Sequence, residues 1–218
     1  IMKKVAIIDY QLSNLCSVKA ACEYVGLNSV ITNNKEDILN AKSVILPGVG
    51  AFGEATSILA NTGLNECIYK FVETKKPLLG ICLGMQLLFN ESEEFGNFKG
   101  LSLLKGNIKK FKIDKKNKDI KFPVPHVGWN KINVHQRKWD STFLSNNLDN
   151  EFMYFVHSYY VVPENEDCIL STTIYGDIEY CSSVSYKNIH GVQFHPEKSG
   201  INGLKIYKQF KNLVLNNE

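Results

Sequence analysis

No run of apolar residues in this 218-residue sequence approaches the roughly 20 needed to span a bilayer, and the N-terminus enters a strand pattern at once, without a signal-peptide core. The expectation is a soluble, cytoplasmic protein with no membrane role. Net charge is equally scarce. With 25 basic against 22 acidic residues the formal charge is +3, too thin a field to hold nucleic acid. The six cysteines (Cys16, Cys22, Cys67, Cys82, Cys168, Cys181) form no C-x-x-C pair, which argues against a zinc site and against a disulfide framework in a chain this long. All but Cys82 read as buried thiols. Internal repeats and long linkers are also missing, so residues 2–216 read as one domain, and 44% apolar composition suffices for its core.

What is present is an alternation of short apolar runs with helical spacing. Residues 5–8 read as a strand ending at Asp9, after which Leu15, Val18, Ala21, Cys22 and Val25 recur at helical intervals up to Gly26. Extended pieces follow at 30–32 and 44–46, then helical patterning to about 71–73, a strand at 78–81 and a helix to about Phe89. Such an order predicts a parallel sheet covered on both faces, with ligands at the carboxyl ends of its strands. The second half is richer in strands, at 101–111, 131–134, 153–162, 168–174, 179–186 and 191–194, before an amphipathic helix carrying Leu204, Tyr207, Phe210 and Leu213 or Val214. Between Lys109 and Lys121 lie seven lysines and two aspartates, which read as a solvated loop or hairpin.

Gly80-Ile-Cys-Leu-Gly84 has the form of an elbow in which small residues on either side of a nucleophile let a strand turn sharply into a helix. The thiol of Cys82 would then stand at a helix N-terminus, where the dipole and free N–H groups favour a thiolate. Taken alone, the pentapeptide also fits a buried structural cysteine beside a helix stop. A nucleophile needs a base and the base an orienting group. His195 follows an apolar strand, and Pro196 makes a rigid corner that presents Glu197 two residues on. Developing negative charge could be met by the N–H of Leu83 and by the glycine-bearing loop 47–50, including Val49 and Gly50.

These residues, with Pro47-Gly-Val-Gly-Ala-Phe-Gly53, Gly80-Ile-Cys-Leu-Gly-Met-Gln86, Pro125-His-Val-Gly-Trp-Asn130, Tyr154-Phe-Val-His-Ser-Tyr159 and Gly191-Val-Gln-Phe-His-Pro-Glu-Lys-Ser199, resemble the class I glutamine amidotransferases. Within them, the tryptophan and Val-His-Ser-Tyr motifs resemble the glutaminase subunits of imidazole glycerol phosphate synthases. The resemblance implies a flavodoxin-like α/β core with a mostly parallel central sheet, and a triad of Cys82, His195 and Glu197 that hydrolyses glutamine through a thioester. It assigns the substrate's amino-acid head group to Gln86 and Glu94, with Ser158 and Tyr159 helping, and needs neither a metal nor an organic cofactor. It further implies a heterodimer with a (β/α)₈-barrel cyclase that receives the ammonia, faced by His126, Trp129, Asn130 and Tyr154, and an oxyanion loop at Val49 and Gly50 that is not set in the isolated subunit. As single histidines in apolar surroundings, His126 and His157 also read as structural. Gln11 and Ser13 stand where the family usually has glycines, a departure that bears on partner identity. A paralogue feeding amidination of a surface sugar and an inactive, partner-binding relative share the same motifs.

Overall fold

The computed structural model describes residues 4–12, 14–112, 122–136, 138–147 and 149–216. Ser13 and most of the lysine-rich stretch, 113–121, lie outside the described residues. Five parallel strands form the centre in the order β2 (Ser29–Thr32), β1 (Val5–Ile8), β3 (Ser43–Gly48), β4 (Leu78–Cys82) and β13 (Ile189–Val192). Alternation along these strands sorts their side chains between two helical layers. Ile7, Ile45 and Leu79 pack with Val18 and Cys22 of α1 (Leu15–Tyr24) and with Ile206 and Phe210 of the last helix, α6 (Gly200–Asn216). Ala6, Ile8, Val44 and Leu46 pack on the opposite layer, α2 (Lys35–Asn40), α3 (Phe52–Thr62), α4 (Leu64–Glu73) and α5 (Leu83–Leu87). Each fully buried leucine or isoleucine adds about 1.5–3 kcal/mol as an upper estimate.

Beyond β13 the sheet continues antiparallel through β12 (Ile178–Tyr186), β10 (Tyr159–Pro163) and β7 (Gly106–Lys110), then to the short β5 (Glu91–Ser92) and β6 (Phe98–Lys99). A branch from β12 carries β11 (Ile169–Tyr175), β8 (His126–Val134) and β9 (Glu151–His157). No helix among the described residues is long and apolar enough to cross a membrane.

Several boundaries differ from the sequence expectation for local reasons. The helix expected up to 71–73 is two, broken at Gly63, whose φ of +66 ends α3. Helix α2 is short and polar, and is started by the Asn34 side chain accepting from the amides of Glu36 and Asp37. The strand expected from 101 begins only at Gly106, because the amides of Leu101 and Leu104 bond back to Leu87 and Leu88. The strand expected over 153–162 is two, since the chain leaves β8 at His157 and joins β7 from Tyr159. Cys22, Cys67, Cys168 and Cys181 are buried and take part in no disulfide, whereas Cys16 is exposed on α1.

Behind β8 and β9 lies a buried cluster of rings. His126 stacks 3.9 Å from Tyr175 and 5.1 Å from Phe155, and His157 lies 5.2 Å from Phe111. The Tyr180 hydroxyl sits 3.2 Å from His157 Nε2 and 3.3 Å from His126 Nδ1, while His157 Nδ1 is 2.8 Å from the Tyr159 carbonyl oxygen, which fixes the proton on Nδ1. Burial pushes His126 down to about 4; burial, aided by the neighbouring histidines, pushes His157 down to about 3. Both rings are therefore neutral in the fold. Above the unfolded value near 6.5 they cost nothing; as pH falls from there toward 4 the unfolded chain takes up protons that the folded chain refuses, and stability drops. The thermal midpoint is expected to fall by at least about 2 °C per pH unit across that window. Melting curves of the chain and of His157→Gln check this, the variant having the shallower slope whatever its midpoint at neutral pH.

Candidate active site

Strand β4 ends at Cys82, whose backbone takes φ +55 and ψ −112, a left-handed conformation that costs a non-glycine residue about 1–3 kcal/mol. The elbow explains both glycines. A Cβ on Gly80 would lie 2.7 Å from the Gly84 carbonyl oxygen, and one on Gly84 would collide with the carbonyl oxygen of Leu46. Only bare backbone lets α5 fold against β3 and β4 this closely. Because α5 is five residues long, its dipole is slight, and the charge that faces the thiol comes from His195 instead.

His195 reaches Cys82 through strand pairing. Val192 lies beside Ile81 in the parallel ladder of β13 and β4, and the next residues leave the ladder, Gln193 bonding to Ser182 and the His195 amide to the Tyr154 carbonyl. His195 Nδ1 then meets Glu197 Oε1 at 2.8 Å, with both side chains almost wholly enclosed. Nε2 makes no hydrogen bond of normal geometry. Burial by itself would lower this imidazole; the Cys82 sulfur and the Glu197 carboxylate outweigh it and push the group up to about 10. Its surroundings thus favour a charged ring where those of His126 and His157 favour a neutral one.

A cavity of about 230 Å³ opens at this point, lined by Val49, Gly50, Cys82, Leu83, Gln86, Glu94, Val156, His157, Ser158 and Tyr159. A larger cleft, about 800 Å³, lies at the amino ends of β4 and β13 beside Pro77 and Asn188 and holds none of the motif residues. Leu83 is the first residue of α5, so its N–H has no acceptor within the helix. The Val49 amide is engaged elsewhere, donating to the Leu12 carbonyl at 2.8 Å. Gln11, beside Leu12, adopts φ +74, the conformation a glycine would take there.

Around the cavity the polar groups are partly committed. Gln86 Nε2 donates to the Tyr159 carbonyl at 2.9 Å and to Gln193 Oε1 at 3.0 Å, which uses both its protons and leaves its carbonyl oxygen for a ligand. One Glu94 oxygen accepts from the Phe52 amide at 2.7 Å. The Ser158 carbonyl accepts from the Phe111 amide. Gln193 is a site residue the sequence reading missed. Its Nε2 lies 3.7 Å from Cys82 Sγ, and the Val156 carbonyl is 3.9 Å from the same sulfur. Its place inside the Gly-Val-Gln-Phe-His motif was the available signal.

Of the residues expected to face a partner, Trp129 and Tyr154 share one open surface, while Asn130 lies on the alternate face of β8. Trp129 is 53% exposed, pairs across the ladder with Tyr154 and meets its ring edge-on at 6.0 Å; Asn130 bonds through Nδ2 to the Ile174 carbonyl. Val127, Val156 and Phe152 share the face of Trp129 and Tyr154, so the exposed side of β8 and β9 is largely apolar, with Lys131 over Phe152, and runs to the cavity at Val156. His126 departs from that expectation. Strand alternation turns it inward, into the ring cluster, with 3% of its surface exposed.

Comparison with known proteins agrees with this geometry. The family described as glutamine amidotransferase class-I matches residues 6–212. Proteins named imidazole glycerol phosphate synthase subunit HisH are similar along their whole length: that of Geobacillus thermodenitrificans is 42% identical over 217 residues, covering 100% of this chain and 99% of its own, and that of Methanocaldococcus jannaschii is 46% identical, covering 96% and 100%. Among solved structures, PurLQS from Thermotoga maritima superposes with a TM-score of 0.71 at 20% identity, covering 100% and 99% of the two chains. The glutaminase domain of Trypanosoma brucei CTPS gives 0.61 at 15%, covering 99% and 94%. Those two share the fold. With a family match over nearly its entire length and full-length relatives above 40% identity, the chain belongs to the class-I glutamine amidotransferases.

Proposed function

We propose that the chain is the glutaminase subunit of an imidazole glycerol phosphate synthase, working in histidine biosynthesis as a single unit over residues 2–216. The observation that carries this reading is the enclosed His195–Glu197 pair beside a strained Cys82, in a cavity that also holds a carboxylate, Glu94, suited to an amino-acid ammonium. Cys82 Sγ adds to the side-chain carbonyl carbon of glutamine. His195, held charged and oriented by Glu197, gives a proton from Nε2 to the leaving nitrogen, and ammonia departs from the glutamyl thioester. His195 then takes a proton from water as the water attacks the thioester, and glutamate leaves with Cys82 restored. Gln86 Oε1 and Glu94 accept from the substrate's ammonium, with Ser158 and Tyr159 shaping the same end of the cavity. Neither step calls for a metal or an organic cofactor.

The negative charge that develops on the carbonyl oxygen falls to the Leu83 amide and to the loop at Val49 and Gly50. Because the Val49 N–H is bonded to Leu12, that peptide must turn before it can serve, which supports an enzyme that idles alone. A barrel-shaped cyclase seated on the apolar face of β8 and β9, with Trp129 as an anchor, would cover the cavity mouth at Val156 and receive ammonia without loss to water. Tyr154 links this face to the triad, since its carbonyl holds the His195 amide and its own amide bonds to Ser199 Oγ. The names of the full-length relatives favour the histidine pathway over a paralogue that serves a surface sugar.

Cys82→Ala is expected to lower glutamate release at least about 10³-fold while leaving partner binding intact, as read by a glutaminase assay and by co-elution with the cyclase. Substantial residual turnover would sink the triad assignment. The chain alone should work about 10²-fold or more below its rate with the cyclase and that enzyme's nucleotide substrate, the size of effect expected for one missing oxyanion donor. Full turnover by the chain alone would refute the idling loop. Absence of stimulation, with Cys82 still labelled by a glutamine-like electrophile, would move the acceptor to the sugar pathway.

A further inference from the structure

The carboxylate of Glu197 uses one oxygen to hold His195, but Oε2 is fully buried and accepts no hydrogen bond. A carboxylate with 1% of its side chain exposed cannot leave an oxygen unmatched without a cost. Several donors close to it in the chain are committed elsewhere. The Lys198 amide bonds to the His195 carbonyl, the Ser199 amide to the Pro196 carbonyl, the Ser199 hydroxyl to the His195 carbonyl and the Gly203 amide to Ser199.

A buried side-chain donor without a partner lies on the packed face of α6. Gly203 sits so tightly on the turn 196–198 that a Cβ there would collide with the Pro196 carbonyl oxygen. Tyr207 lies one turn later on the same side of the helix, is fully buried, and its hydroxyl likewise has no partner. We propose that Tyr207 is a positioning residue of the triad, its hydroxyl donating to Glu197 Oε2, directly or through one water, so that the carboxylate stays aimed at His195. Burial, and next to it the Glu197 charge, hold this phenol well above its usual range, so it remains an O–H donor at every working pH. Nothing in the elbow or the His-Pro-Glu motif encodes this contact, which is brought about by α6 packing from a different part of the chain.

This assignment rests on the triad reading above, and the test separates the two. In the complex with the cyclase, Tyr207→Phe keeps the ring and removes only the hydroxyl. The expected result is a kcat about ten-fold lower, the order of one hydrogen bond to a charged group, with KM for glutamine unchanged and a thermal midpoint lower by a few °C. Combined with Glu197→Gln, the second substitution should add no further loss, because Tyr207 acts through that carboxylate. A wild-type kcat in folded Tyr207→Phe, or losses that add fully in the double variant, would overturn the proposal. Should Tyr207→Phe fold poorly, Tyr207→Met is the second variant, read by the same additivity with Glu197→Gln. Turnover that survives Cys82→Ala would bring down the triad itself, and this assignment with it.

Discussion

The parallel pairing of β13 with β4 is the constraint on which the site depends. It sets Val192 beside Ile81, so that Cys82 at the end of one strand and His195 just past the end of the other arrive on the same edge of the sheet, although they are more than a hundred residues apart in the chain. Everything else adjusts to that edge. Bare glycine backbone at 80 and 84 brings α5 onto β3 and β4, and Tyr154 of β9 ties down the corner that carries His195 and Glu197. A slip of one residue between β4 and β13 would turn alternate side chains to the wrong face and part the thiol from the imidazole.

Three histidines stand close together here under opposite electrostatic rules. His126 and His157 are surrounded by aromatic rings and a phenol, so burial dominates and keeps them neutral. His195 is equally enclosed, yet a carboxylate at 2.8 Å and a facing sulfur reverse the outcome. The neutral pair gives the region behind the cavity a rigid, uncharged wall. Charge is thereby concentrated on His195, the ring beside Cys82 and Glu197.

Much of this arrangement could be read in advance, and the failures have definite causes. The strands of the parallel core were legible because strands buried on both faces are continuous apolar runs bounded by glycine or proline. The elbow and the His-Pro-Glu corner were legible because turn chemistry and nucleophile sit in adjacent residues. His126 was assigned to the partner face along with its motif, but alternation within β8 decides face residue by residue and put it in the core. Gln193 was passed over as a strand residue, since its contact with Cys82 Sγ depends on which way it turns once the ladder ends. The break at Ser158 was hidden because both halves are equally apolar, and only the change of pairing partner reveals it.

The sequence by itself determined the parallel α/β centre and the family, and it named Cys82, His195 and Glu197 as the candidate triad, because each is written in short-range pattern or contiguous motif. Tertiary structure alone decided the state of the oxyanion loop, where a Val49–Leu12 bond between two loops holds an amide out of the cavity, and the placing of a buried tyrosine of α6 in the surroundings of Glu197. Those are contacts between segments distant in the chain. No local periodicity records them, and they exist only once the two helical layers have closed on the sheet.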